Sequence, residues 1–247
     1  MCRTRNQLLR CCLSLAVISL ATSLSRAAEN GPPRRFTPPP GEETADIKSR
    51  IDAAGAALAA GKTAGDLLND PALMSAHEWP RFRRLIREHA VPGKLSLVTS
   101  QEPGDKLLVK GRVLDAIAKP IPGALIYVYH TSARGWYSDR AAHVAAQEGD
   151  RKYARLFGYL TSARDGSFEI RTIRPGGYPD SNLPAHIHIE IQRPGKTGWW
   201  VSEIRLDDDP RLTAQMRQQS AREGFTICQV RRDGDRGWRV DPELCIR

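Results

Sequence analysis

The spacing of apolar residues changes once along the 247-residue chain. Between Glu43 and about Ala90, Ile47, Ile51, Ala54 and Leu58 recur at three- and four-residue intervals, and RFRRLIREHA repeats the pattern. This predicts short amphipathic helices laid against a larger body. Beyond Pro92 the texture changes to strands. KLLVKGRVLD (106–115), GALIYVYH (123–130), SFEIRTI (167–173), AHIHIEI (185–191) and WWVSEIRL (199–206) are short runs rich in β-branched and aromatic residues, separated by Pro, Gly and Asp turns. No long helix falls between them, which argues against parallel βαβ packing. The pattern therefore predicts a mainly β protein, an antiparallel β-sandwich with a short N-terminal helical extension. DDDPRLTAQMRQQ reads as a short helix with acids at its start, and the last segment as a closing hairpin around Asp233-Gly234.

The first residues follow neither pattern. Arg3, Arg5 and Arg10 form a basic start, Leu13 to Leu24 is apolar, and Ser25-Arg26-Ala27 offers small residues around a cleavage point. Residues 1–28 thus read as a signal peptide, which implies a secreted or periplasmic protein. The apolar run is roughly a dozen residues, short of the about 20 that span a bilayer, so no membrane span is expected after its removal. Residues 29–42 form a Pro-rich arm, 43–91 the helical extension and 92–247 the β-sandwich. Loss of Arg3, Arg5, Arg10 and Arg26 lowers the formal charge from +9 to about +5, and the remaining basic residues are scattered, which argues against a nucleic-acid partner. Cys228 and Cys245 remain, either as a disulfide pinning the C-terminal tail or as two free buried thiols. The oligomeric state is open.

In a strand, His186 and His188 share one face while Ile187 and Ile189 take the other. Two imidazoles at that spacing either bind a metal or are half-buried polar residues on a sheet. Tyr137 in ARGWYS and Tyr178 in RPGGYP both stand beside turn glycines, where a strand ends and the chain bends. Their phenols either point into a shared cleft or pack as amphipathic rim residues. His77 and His89 read as solvated or capping residues. Trp136, Trp199 and Trp200 are open to a second use, as contacts of a carbohydrate or peptide binder, or to a place in the core.

GRVLDAIAKPIPGALIYVYHTSARGWYS, followed by RLFGYLTSARDGSFEIRTIRPGGYP and PAHIHIEI, resembles the catalytic core of the intradiol ring-cleavage dioxygenases, especially the protocatechuate type, over about residues 93 to 210. The order carries the resemblance: a Gly-x-Val-x-Asp strand with a proline turn, a strand ending in Gly-x-Tyr, a TIRPGxYP turn, then His-x-His. It implies that Tyr137, Tyr178, His186 and His188 hold one non-haem Fe(III), and that O2 cleaves a catechol-type ring between its two hydroxylated carbons to give a muconate-type diacid. Fe(III) is a hard cation, and two phenolates with two imidazoles nearly neutralise it. By the same analogy Tyr178 is the catalytic residue that leaves the metal and takes a substrate proton. The family's arginine three residues before the first histidine is here Leu183, and its glutamine fifteen residues after the second is Glu203. Arg174 or Arg205 would then supply the missing positive charge, with Arg174 the candidate catalytic residue. Trp136, Leu183 and Glu203 are expected to line the substrate pocket. Tyr127 and Tyr129 stand where the family often has Glu and Trp. The alternative is a secreted β-sandwich that keeps the fold and a metal site as a binding or structural module without turnover.

Overall fold

The computed structural model describes residues 42–137, 154–179 and 181–246. The signal-peptide reading and nearly all of the Pro-rich arm lie outside them. The helical layer comprises α1 (Ala45–Ala59), α2 (Ala64–Leu68), a 3₁₀ turn (Pro71–Ala76) and α3 (Pro80–Glu88). Thr44 caps α1 through its hydroxyl, and Thr63 with Asp66 forms a reciprocal capping box on α2. The buried residues of α1 are Ile47, Ile51, Ala54 and Leu58, the positions that the helical period selects. Among the described residues, no helix is long and apolar enough to cross a membrane.

Two mixed sheets form the sandwich. The first runs β1 (Val91–Pro92), β5 (Leu156–Thr161), β4 (Leu125–His130), β7 (His186–Gln192), β8 (Trp199–Leu206), β9 (Thr226–Cys228). The second runs β10 (Arg231–Arg232), β11 (Trp238–Val240), β3 (Lys106–Leu114), β6 (Ser167–Ile173), β2 (Lys94–Ser96), with β12 (Glu243–Cys245) also on β3. The central pairs β3/β6, β5/β4, β4/β7 and β7/β8 are antiparallel as expected. The short strands β1, β2, β9, β11 and β12 each pair in parallel with a long one, a departure from a wholly antiparallel sandwich. β9 reaches its parallel place beside β8 through helix α4 (Ala214–Glu223), while β11 and β12 follow one another along β3 in the same direction. That helix is capped by Thr213, so the acids 207–209 precede it rather than occupy its first turn.

Register divides the first sheet into two faces, because directly opposed residues point the same way. Ile126 pairs with Ile191, Val128 with Ile189 and Ile187 with Ile204, and all are buried in the core with Val109, Phe168 and Ile170 of the second sheet. The other face carries Tyr159 opposite Tyr127, Tyr129 opposite His188, and His188 opposite Glu203. This outer face bears the candidate chemistry. Cys228 and Cys245 are free thiols in different sheets, Cys228 buried and Cys245 exposed, so the disulfide expectation is not met. Burial pushes the Cys228 thiol up to about 12, which keeps it protonated and unreactive.

Two further histidines are interior. His130 bridges the sheets, with Nε2 2.6 Å from the Thr172 hydroxyl and Nδ1 2.7 Å from Thr131 O. His77 is neither solvated nor a surface cap: it is buried, stacked on Phe82 with ring centroids 5.2 Å apart. His89 does cap α3, its Nδ1 donating to Leu85 O at 3.0 Å. Burial holds His77 and His130 neutral, lowering each from 6.5 to about 4. The unfolded chain binds these protons near 6.5 and the folded chain only near 4, so stability is full above pH 6.5 and falls as pH drops from there toward 4. Urea midpoints at pH 7 and pH 5 should differ, each histidine contributing on the order of 2 kcal/mol across that interval. A midpoint flat between those pH values would refute this assignment.

Candidate metal centre

Two glycine turns present the phenols. Gly135 adopts φ +81°, and its N–H donates to Ser132 O at 3.0 Å; Gly176 N–H donates to the same carbonyl at 2.9 Å. The Thr131 hydroxyl donates to Gly176 O at 2.7 Å. A Cβ on Gly176 would stand 2.5 Å from Ala133 O and 2.6 Å from Gly135 N, so only glycine allows the two backbones this approach. The interlocked turns carry Tyr137 and Tyr178 to one point. There the outer face of β7 supplies the two imidazoles.

The four side chains converge. Tyr137 Oη lies 2.6 Å from Tyr178 Oη and 2.8 Å from His188 Nε2. Tyr178 Oη lies 3.0 Å from His186 Nε2 and 3.5 Å from His188 Nε2, and the two Nε2 atoms are 3.1 Å apart. All four residues are buried. His186 Nδ1 is 2.8 Å from Pro184 O, an acceptor only, which assigns the proton to Nδ1 and turns the Nε2 lone pair to the cluster. With His188 in the same tautomer, its Nδ1 faces Glu203 Oε1 at 4.0 Å. These four side chains then hold only the two phenol protons between them, fewer than their mutual contacts, so lone pairs face one another in a buried space. That arrangement suits a cation at its centre. Two oxygens that can become anionic and two imidazoles fit a hard trivalent ion, and fit zinc poorly.

Around the cluster, Tyr129 stacks on the His188 ring, centroids 4.5 Å apart and planes 13° apart. Glu203 Oε1 also lies 4.0 Å from His186 Nε2, and His186, His188 and Glu203 offer ligand atoms within 4.8 Å of one another. Glu203 thus offers a fifth donor beside the four, a role beyond the pocket lining that the family resemblance implies. Its other oxygen is held by Arg205, with Nη2 donating at 2.9 Å and Nε at 3.1 Å, while Arg205 Nη1 donates to the Ser220 hydroxyl at 3.0 Å. Arg205 therefore reaches the cluster through Glu203. Arg174 is placed differently: both terminal nitrogens donate to Asp208 at 2.8 Å, so its guanidinium forms an ion pair and is not brought together with the four donors. Leu183 is 41% exposed and sits beside Pro184, whose carbonyl orients His186. Trp136 is half-buried with the Arg134 guanidinium 4.4 Å over its ring. Of the two arginines expected to supply positive charge, Arg205 is the one beside the cluster, opposite His186 in the strand register; the stacking role of Tyr129, opposite His188, follows from register and from no motif.

A family model described as dioxygenase matches residues 80–240. The chain is similar to chlorocatechol 1,2-dioxygenase of Rhodococcus opacus, 32% identical over 46% of this chain and 48% of that protein. It is also similar to the protocatechuate 3,4-dioxygenase beta chain of Burkholderia cepacia, 33% identical over 47% of this chain and 51% of that one. The chain spans about half the length of these relatives. Among solved structures, the dioxygenase domain of a dioxygenase and carbohydrate-binding protein fusion from Streptomyces sp. SirexAA-E is 27% identical, with a TM-score of 0.47, covering 63% of this chain and 88% of that one.

Proposed function

The chain belongs to the intradiol dioxygenase family, and from that premise we propose that it is a non-haem ferric enzyme that opens catechol-type rings with O2 between the two hydroxylated carbons, giving muconate-type diacids. The convergence of Tyr137, Tyr178, His186 and His188 on one buried point carries the reading. These four residues would hold the ion. When bound, ferric iron supplies a Lewis acid that lowers the proton affinity of a catechol and links it electronically to O2.

The chain's own residues would orient and move protons. Tyr178 sits at the end of the Pro-Gly-Gly turn and touches both imidazoles through its oxygen, a position from which a phenolate can accept a substrate hydroxyl proton. Pro184 O fixes the tautomer of His186, and the stacked Tyr129 ring fixes the plane of His188. Glu203 with Arg205 borders the cluster as a charged pair, so the wall on the β8 side differs from the neutral glutamine that the family resemblance implies. The basic, apolar and small-residue order of residues 1–28 supports export, which the N-terminal sequence of protein recovered outside the cytoplasm would test.

Oxygen uptake tests the function. Iron-loaded protein should consume one O2 per ring with at least one of catechol, protocatechuate or a larger hydroxylated aromatic, with the ultraviolet absorption of a ring-opened diacid appearing in step. Iron-loaded protein that consumes no oxygen with any of them would overturn the enzyme in favour of a binding module.

A further inference from the structure

We propose that Arg83 and His77, both in the helical layer outside the β-sandwich, are positioning residues for the metal centre, acting through their own hydrogen bonds to the backbone and rings behind it. The inference rests on the four converging side chains being metal ligands. Two routes connect the helices to them.

The first runs through the backbone behind the phenols. Arg83, buried on α3, donates through Nη1 to His77 O at 2.8 Å and to Ala154 O at 3.1 Å. His77 Nδ1 donates to Arg155 O at 3.0 Å. Ala154 is fully buried in one apolar cluster with Tyr137 and Tyr178, and Arg155 N–H donates to Tyr137 O at 2.7 Å. Arg155 is anchored in turn by a bidentate pair with Glu102 at 2.8 and 2.6 Å. The two residues that back both phenols thus hang from the helical layer.

The second route runs through stacked rings. Arg83 Nη2 donates to Tyr127 Oη at 2.8 Å. Tyr127 stacks on Tyr129 with centroids 5.0 Å apart, and Tyr129 stacks on His188 at 4.5 Å. The guanidinium carbon itself lies over Phe157, 3.6 Å from the ring centroid. One planar fork therefore fixes three acceptors that lead to three of the four donors. A lysine ammonium, a single point of charge, cannot reproduce that geometry.

Arg83→Met and Arg83→Lys separate positioning from plain stability when set beside Ile86→Ala, a fully buried residue of the same helix. Arg83→Met should speed amide exchange at Arg155 in metal-free protein about tenfold beyond Ile86→Ala, the effect of losing one or two hydrogen bonds. It should also raise the ferric dissociation constant 10- to 100-fold, the usual cost of losing an outer-shell partner, with Arg83→Lys in between. Ile86→Ala should lower the melting temperature and leave ferric affinity unchanged. Should Arg83→Met fail to fold, two milder variants carry the same comparison. Tyr127→Phe removes only the phenol oxygen and should weaken ferric binding. His77→Phe keeps the ring and removes the donor to Arg155 O, and should speed the Arg155 amide. If these variants move exchange and ferric affinity no more than Ile86→Ala does, the proposal is overturned. A wild type that binds no ferric ion would defeat the functional reading, while the metal-free exchange comparison would still decide whether the helices hold the phenol-bearing backbone.

Discussion

Replacing His188 with alanine should raise the dissociation constant for ferric ion by more than about 100-fold, read by titration into metal-free protein. Loss of an outer-shell partner typically costs 10- to 100-fold, and His188 is one of the four converging donors themselves. Its Nε2 lies within 3.5 Å of Tyr137 Oη, Tyr178 Oη and His186 Nε2, so its removal strips the centre of the atom shared by most of the contacts. The fold should survive. The core-facing side of β7 is carried by Ile187, Ile189 and Ile191, which the substitution leaves in place. Folded protein that binds ferric ion as tightly as the wild type would show that the ion sits elsewhere.

Gly135→Ala should be among the most damaging changes in the protein although it adds one methyl group. The residue holds φ +81°, which costs an L residue about 1–2 kcal/mol. The new Cβ would also clash with Gly177 O and stand 3.2 Å from Pro179 Cδ. That obstruction is backbone, with no flexible side-chain end to yield, and overpacking of this kind costs about 1–3 kcal/mol. Together the expected loss is about 2–5 kcal/mol in urea unfolding. The substitution pushes apart the two turns that carry Tyr137 and Tyr178, so ferric affinity should fall with stability. A stable Gly135→Ala protein with unchanged ferric binding would mean that the interlocked turns do not set the phenol positions.

Much of this was legible in the chain because it is local or periodic. The β-branched and aromatic runs between turns located β3, β4, β6, β7 and β8 to within a residue or two, and strand geometry put His186 and His188 on one face. The glycines beside Tyr137 and Tyr178 are the ones that let the turns meet. β5 was not predicted: LFGYLT is broken at its centre by Gly158, which weakens the strand pattern and is needed because Leu95 and Leu97 press close there. The parallel edge strands have two or three residues each, too few to show a period. The contacts that tie the helices to the site are long-range. Arg83 meets Tyr127 across 44 residues and His77 meets Arg155 across 78, and no spacing rule reports such a pair. The same holds for Arg174, whose partner Asp208 lies 34 residues on.

The proposed function requires two phenols and two imidazoles to share one trivalent ion. Titrating ferric ion into metal-free protein while recording the visible spectrum tests it most directly, because a phenolate bound to ferric iron absorbs visible light. A band should grow and saturate at one ion per chain, and Tyr137→Phe and Tyr178→Phe should each shift or weaken it. Protein that takes up ferric ion without colour, or that prefers zinc at one per chain and stays colourless, would contradict the account.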